Sequence, residues 1–325
     1  MLPEPSYATR PPQHSHWGRS LLLAMSLSLP TSSVAEEPQD QASDPATSTS
    51  QSAGQGVNRP FRLFRLEEAY TQEQGEWQLR LTPEYLERTE RESELTGLTT
   101  IERTRTGVRS FVSTLDVEYG LTDRLELTAA LPALLHADRE VRVQELDDGF
   151  PTSSTTTDSD HAAIGDLSMG LAFAVLEETR LGPALTVELG LSVPTGDRSE
   201  SFGSGKVVGG PALALTKSFG PFFATANLDF TFGDEFRAYG YGIGLLYLLG
   251  ETGWGVAAEF EGETERSLEE DATERSLNLL PSVTYGWVDA GGRAWQLGVG
   301  VPVGLTGIAQ ESDTIGVALQ FQVEF

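Results

Sequence analysis

Cysteine is absent from all 325 residues. Its absence removes a disulfide framework, a thiolate metal site, a catalytic thiol and a lipid-modified N-terminal cysteine from consideration. Positive charge is scarce: 22 Lys and Arg stand against 48 Asp and Glu, for a net charge of -26, and Lys206 and Lys217 are the only lysines. That balance argues against nucleic acid or anionic lipid bound through a basic patch. Long apolar runs are also missing. Beyond the N-terminal region no window is greasy enough to cross a bilayer as a helix, so a membrane form of this chain must be a barrel. An apolar content of 39% is low for a packed core of this length, and 34 glycines with few methionines favour an all-β chain.

The first recognisable feature is an address. In "GRSLLLAMSLSLPTSSVAEE", Arg19 precedes a short apolar run, Leu21 to Leu29, followed by the small-x-small triplet Ser33-Val34-Ala35. Residues 1–35 therefore read as a secretory signal peptide cleaved after Ala35. Residues 36–75 read as a disordered periplasmic segment, rich in Ser, Thr, Gln and Asp up to about residue 58. Within it, "FRLFRLEEAY" fits either a short amphipathic helix or an irregular lead-in.

From Glu76 to Phe325 apolar and polar residues alternate in about twelve stretches, from "EWQLRLTPEYLER" to "IGVALQFQVEF". Each is near the ~9 to 11 residues that cross a bilayer at a barrel's tilt. Short connections such as "GLTD", "KSFG" and "DAGGR" alternate with longer polar ones at 89–108, 138–163, 196–205 and 262–275. Short turns on one rim and long loops on the other are the asymmetry of an outer-membrane barrel. The expected fold is all-β: a transmembrane outer-membrane antiparallel β-barrel of about 12 strands, spanning 76–325.

Alternation alone also suits a soluble lipocalin-like barrel or a sandwich. The aromatic residues discriminate. Trp77, Trp254, Trp287 and Trp295 all fall at the short-turn ends of their strands, joined by Tyr119 and Phe325, as a membrane-interface belt would place them. Tyr85, Phe111 and Phe260 fall nearer the other rim. The last strand alternates to its final residue, Phe325, as closure onto the first strand requires, because an open edge in hydrocarbon leaves backbone groups unsatisfied. Such an ending is similar to the C-terminal signal read by the barrel assembly machinery.

Three stretches carry a family resemblance: "YGLTDRLELTAALPALL" from Tyr119, "IGDLSMGLAFAVL" from Ile164 and "LTVELGLSVPTGD" from Leu185. They resemble successive strand motifs of the family named for the MetA pathway of phenol degradation. The resemblance covers the first half of the barrel in wording and the rest in style. It implies an outer-membrane transporter passing small molecules, aromatic or otherwise hydrophobic ones included.

If the apolar face meets lipid, the opposite face lines a lumen with Glu76, Glu84, Asp116, Glu118, Glu126, Glu188, Asp229, Glu259, Glu261 and Glu324, and with Arg80 as the main inward cation. Such a lumen holds water and favours cations or neutral solutes over anions; the alternative is that these groups merely pair with one another. Gly170, Gly190, Gly240, Gly242, Gly244, Gly298 and Gly300 share that face, leaving a groove for solute or room for a plug. Catalysis gets little support. His136 and His161 flank a loop carrying Asp138, Asp158 and Asp160, without the geometry of a triad. The same acids lack a calcium loop's ligand spacing. "GSGKV" lacks the first glycine and the hydroxyl of a phosphate loop, and "GDEF" at Gly233 reads as a turn.

The expected function is passive or facilitated passage of small molecules through a channel in the outer membrane of a Gram-negative bacterium, without enzyme activity, cofactor or metal. The expected partners are outer-membrane lipid and lipopolysaccharide, the barrel assembly machinery and a small-molecule solute, with no nucleic acid. The alternatives are a closed structural or interaction barrel working through its loops, and a soluble ligand-binding β protein.

Overall fold

The structure, a computed structural model, describes residues 24–25, 62–95, 100–147, 150–197, 202–234, 236–268, 273–307 and 311–325. The cleavage site after Ala35 and the expected disordered stretch up to residue 61 lie outside the described residues. Twelve strands follow in chain order: β1 (Trp77–Leu95), β2 (Thr100–Thr122), β3 (Leu125–Asp147), β4 in two pieces (Phe150–Ile164 and Leu167–Leu176), β5 (Ala184–Val193) and β6 (Val208–Phe219). The second half comprises β7 (Phe222–Phe232), β8 (Phe236–Leu248), β9 (Trp254–Ser267), β10 (Thr273–Val288), β11 in two pieces (Ala294–Gly300 and Val303–Gly307) and β12 (Glu311–Glu324). Ala24–Met25 form a two-residue bridge against Leu189 and Gly190 and take no part in closing the barrel.

Each strand pairs antiparallel with its neighbours in sequence, and β12 returns to β1 with Val317 opposite Tyr85 and Val323 opposite Leu79. Closure runs to the end of the chain. The Trp77 amide donates to the Phe325 carbonyl (2.8 Å) and the Phe325 amide returns the bond to Trp77 (2.9 Å). The barrel thus has no free edge where hydrocarbon would leave a backbone group unsatisfied.

β8 shows how the alternation becomes a wall. Tyr239, Tyr241, Ile243 and Leu245 are exposed on the outside, while Ala238, Gly240, Gly242, Gly244 and Leu246 are buried inside. A one-residue slip would exchange these faces, so the pattern fixes the register.

Two expectations need correction. Most of the long polar connections are strand: β1 and β2 pair up to Leu95–Ile101, and β3 and β4 up to Asp147–Phe150. Above the apolar band both faces meet water, so a paired strand there need not alternate. Thr104, Thr106, Val141, Val143 and Thr155 to Thr157 supply the β-branched residues that suit it. Residues 262–267 and 273–275 likewise continue β9 and β10, with 269–272 outside the described residues, whereas 194–197 and 202–207 form a loop. The second correction concerns residues 62–75, which are not a free periplasmic tail. Residues 62–72 run inside the barrel, with Leu63, Phe64, Leu66, Ala69 and Gln72 buried, and Glu73, Gln74 and Gly75 are exposed at the short-turn rim.

Candidate functional site

The inner wall is polar because every second residue of each strand points inward. Arg80, Glu118, Glu126, Glu259 and Glu324 are buried there; Glu84, Asp116, Glu188, Asp229 and Glu261 are half-buried on the same side. Glu76 sits at the short-turn rim, half-buried, accepting the Glu73 amide (3.2 Å). Alternation also put Gln78, Gln296, Gln320 and Gln322 on this face. They carry no charge and so escape a search for candidate ionisable groups, yet none is more than 2% exposed.

These side chains hold the N-terminal segment. Glu259, fully buried, accepts the backbone amides of Phe64 (2.8 Å), Arg65 (2.9 Å) and Leu66 (2.9 Å) with its two oxygens. Three parallel N–H groups converging on one carboxylate form a charge-assisted anchor. Gln296 accepts the Arg62 amide (2.6 Å) and donates to the Arg62 carbonyl (2.8 Å) and to Gln320 (2.7 Å). Gln320 in turn donates to the Leu63 carbonyl (3.1 Å). Further along, Asn227 donates to the Glu67 carbonyl (2.9 Å), Thr216 accepts the Ala69 amide (2.8 Å), and Glu126 accepts the Gln72 amide (2.6 Å). The wall therefore reads the segment's backbone, where a helix or strand would satisfy it internally.

Charges complete the seat. Arg65 reaches Glu261 (3.2 Å) and Glu84, and Arg62 lies 3.7 Å from Glu68. Arg80 contacts Glu67 of the segment (3.2 Å), Asp116 (3.3 Å) and Glu118 (3.6 Å). Arg80 is thus joined by two arginines of the segment as inward cations, which offset part of the acidic wall.

The inner glycines explain how apolar side chains fit against a polar wall. A Cβ on Gly242 would stand 2.2 Å from Leu66, on Gly244 2.5 Å from Leu63, and on Gly298 2.6 Å from Phe64. Each missing side chain leaves room for one side chain of the segment. Leu63 and Leu66 pack with Leu246, and Phe64 with Leu280 and Ala318. At these three positions the contacts are those of close packing against the segment, whereas Gly170, Gly240 and Gly300 make room for the wall side chains Glu188, Asp229 and Leu280.

The segment leaves at the short-turn rim. Glu178, in the turn between β4 and β5, accepts the Tyr70 hydroxyl, the Ser218 hydroxyl and amide (3.0 Å) and Lys217 (2.9 Å). Burial works against its charge, but the hydrogen bonds from Ser218, Tyr70 and Lys217 prevail and hold its carboxyl down at about 2. Around the same rim runs a girdle of rings: Trp77 on Tyr119 (4.4 Å), Trp254 on Tyr285 (4.9 Å), Trp287 stacked on Trp295 (6.1 Å), and Trp295 against Phe321 (5.7 Å). Phe325, 52% exposed, ends the chain at that level. His136 meets Asp160 (2.9 Å) on the exposed outer wall rather than in a pocket. Among the described residues no group of acids and histidines has the arrangement of a metal site.

No family model and no curated protein matches the chain. Solved structures do match. An outer membrane channel from Pseudomonas putida F1 is 17% identical, with a TM-score of 0.52, over 81% of this chain and 100% of the other. A Pseudomonas aeruginosa FadL homologue is 7% identical with a TM-score of 0.38, covering 78% and 90% of the two chains. The Escherichia coli outer membrane protease OmpT is 9% identical with a TM-score of 0.35, covering 82% and 99%. The first likeness establishes the outer-membrane barrel fold; the other two are too distant to bear on function.

Proposed function

We propose that this chain is an outer-membrane channel for passive or facilitated passage of small molecules, with residues 62–75 as the built-in occupant of its lumen. The observation that carries this reading is the nature of the blockage. The barrel is stopped by a segment hydrogen-bonded to polar wall side chains, not by a core shared between the strands. An interior lined by carboxylates and amides is what a water-filled route needs once that segment shifts. Excess wall acid favours cations and neutral solutes. The strand motifs that resemble the phenol-degradation family favour aromatic or hydrophobic solutes among the neutral ones. Export through the cleaved leader, insertion by the assembly machinery through β12 and residence in the outer membrane of a Gram-negative bacterium belong to the same proposal.

The depth of the seat supports a second reading, a permanently closed barrel acting through its outer sheet. Proteoliposome swelling separates the two. Swelling with small neutral solutes, faster than in protein-free vesicles, is the outcome the channel reading predicts. No swelling by barrels shown to be folded would leave the closed reading standing.

A further inference from the structure

Residues 62–72 enter and leave the lumen at the same rim. Arg62 is bound by Gln296, two residues into β11 from its short turn, and Gln72 by Glu126, one residue into β3. Between them Arg65 reaches Glu84 and Glu261, each seven residues up its strand from the Trp that begins it. Seven residues are about 23 Å of strand and roughly 17 Å of height at a barrel's tilt. The segment therefore rises, turns near Arg65 and descends, and Arg62 meets Glu68 of the other leg at 3.7 Å. Two legs of polypeptide lie side by side in this lumen. A single extended peptide has room where they now sit.

What the wall recognises in this loop is peptide. Gln296 reads both groups of one residue, accepting the Arg62 amide and donating to its carbonyl, and Glu259 takes the next amides in a row from Phe64 to Leu66. Three side-chain seats follow in order: the recess over Gly298 for Phe64, the carboxylates of Glu84 and Glu261 for Arg65, and the recess over Gly242 for Leu66. The loop does not use all that the wall offers. Asn227 donates to the Glu67 carbonyl, but its Oδ1, the atom type with which Gln296 takes an N–H, is buried without a partner among the described residues. The same holds for Oε1 of Gln322, 2% exposed, and for Oγ1 of Thr284, 1% exposed and beside the Phe64 recess. Buried acceptors left open are costly and call for an explanation. They suit an occupant richer in N–H groups than the loop, and the excess of wall carboxylates suits one that is cationic.

We propose, on the reading of this chain as a channel, that its lumen is a binding site for short peptides with an arginine between two apolar residues, and that residues 62–72 are the tethered stand-in for such a peptide. Phe64, Arg65 and Leu66 mark the seats of its three side chains. Its free amino group supplies N–H donors that the loop lacks. Peptide and loop exclude one another, so the solute itself displaces the loop towards the short-turn rim, where both legs already end.

The test uses the refolded full chain in detergent and the peptide Leu-Phe-Arg-Leu, read by amide exchange at Phe64 to Leu66 of the protein. A tethered competitor acts at an effective concentration on the order of 1 mM, so peptide in that range is needed. It should speed the exchange, and the neutral analogue Leu-Phe-citrulline-Leu should need about ten times the concentration, because it lacks the charge that Glu84 and Glu261 receive. With Glu84→Gln and Glu261→Gln together, the two peptides should act within about threefold of one another. Glu84→Gln alone, with an intermediate ratio, keeps the comparison available if the double variant fails to show the heat-dependent gel shift of a folded barrel. No acceleration by Leu-Phe-Arg-Leu, equal action of the citrulline analogue on the parent, or equal action of the composition-matched Arg-Leu-Leu-Phe would each overturn the inference. Vesicle swelling judges the channel reading separately: swelling with no peptide effect removes the peptide site alone, and a peptide effect without swelling leaves the site in a barrel that does not conduct.

Discussion

Glu259 is the single residue on which the seat of the N-terminal segment most depends. It takes three backbone amides at once and has no exposed surface. Glu259→Ala strands buried donors, at about 1–3 kcal/mol for each left unsatisfied. The expected outcome is a barrel that still folds, with residues 62–75 exposed to protease and faster amide exchange at Phe64 to Leu66. A second prediction uses volume instead of charge. Gly244→Val puts a side chain where Leu63 and Leu66 now lie, so the same stretch should become protease-sensitive while Gly220→Ala, in a surface turn at φ 61, costs stability without freeing it. The acids of this site were legible in the sequence because alternation assigns a face to each. Their task was not, since nothing local in Glu259 names a backbone partner 193 to 195 residues away.

At the scale of elements, β12 and the β4–β5 turn make separate predictions. β12 pairs with β1 up to the final residue, so deleting Leu319 to Phe325 leaves edge groups open on two strands, each at a cost of several kcal/mol in hydrocarbon. That variant should fail to give the heat-dependent gel shift of the parent. The turn responds to pH. The Glu178 carboxyl is held at about 2 in the folded chain against an ordinary 4.5, so its contribution is fully present above about 4.5 and fades as pH falls towards 2. Protease sensitivity near Tyr70 should be flat from pH 7 to 5 and rise below 4.5. The strand ends were the least legible elements. Once both faces of a strand meet water, the two-residue period that marks it disappears, and 89–108 and 138–163 look like loops although their described residues are mostly paired strand.

For the whole molecule, closure, strand number and the short-turn aromatic rim follow from repetition that any one strand states weakly and twelve state together. The segment at 62–75 escaped because it has no period: its residues were chosen against the wall, one glycine or glutamine at a time. That complementarity keeps the lumen filled, and ion conductance in a planar bilayer reports on it. The chain starting at Glu36 would be compared, under a potassium chloride gradient, with the same chain lacking residues 62–72. Little current is expected from the first and stepwise, cation-favouring current from the second, because the acidic wall loses its occupant together with Arg62 and Arg65. Equal conductance of the two, or an anion preference after the deletion, would contradict it.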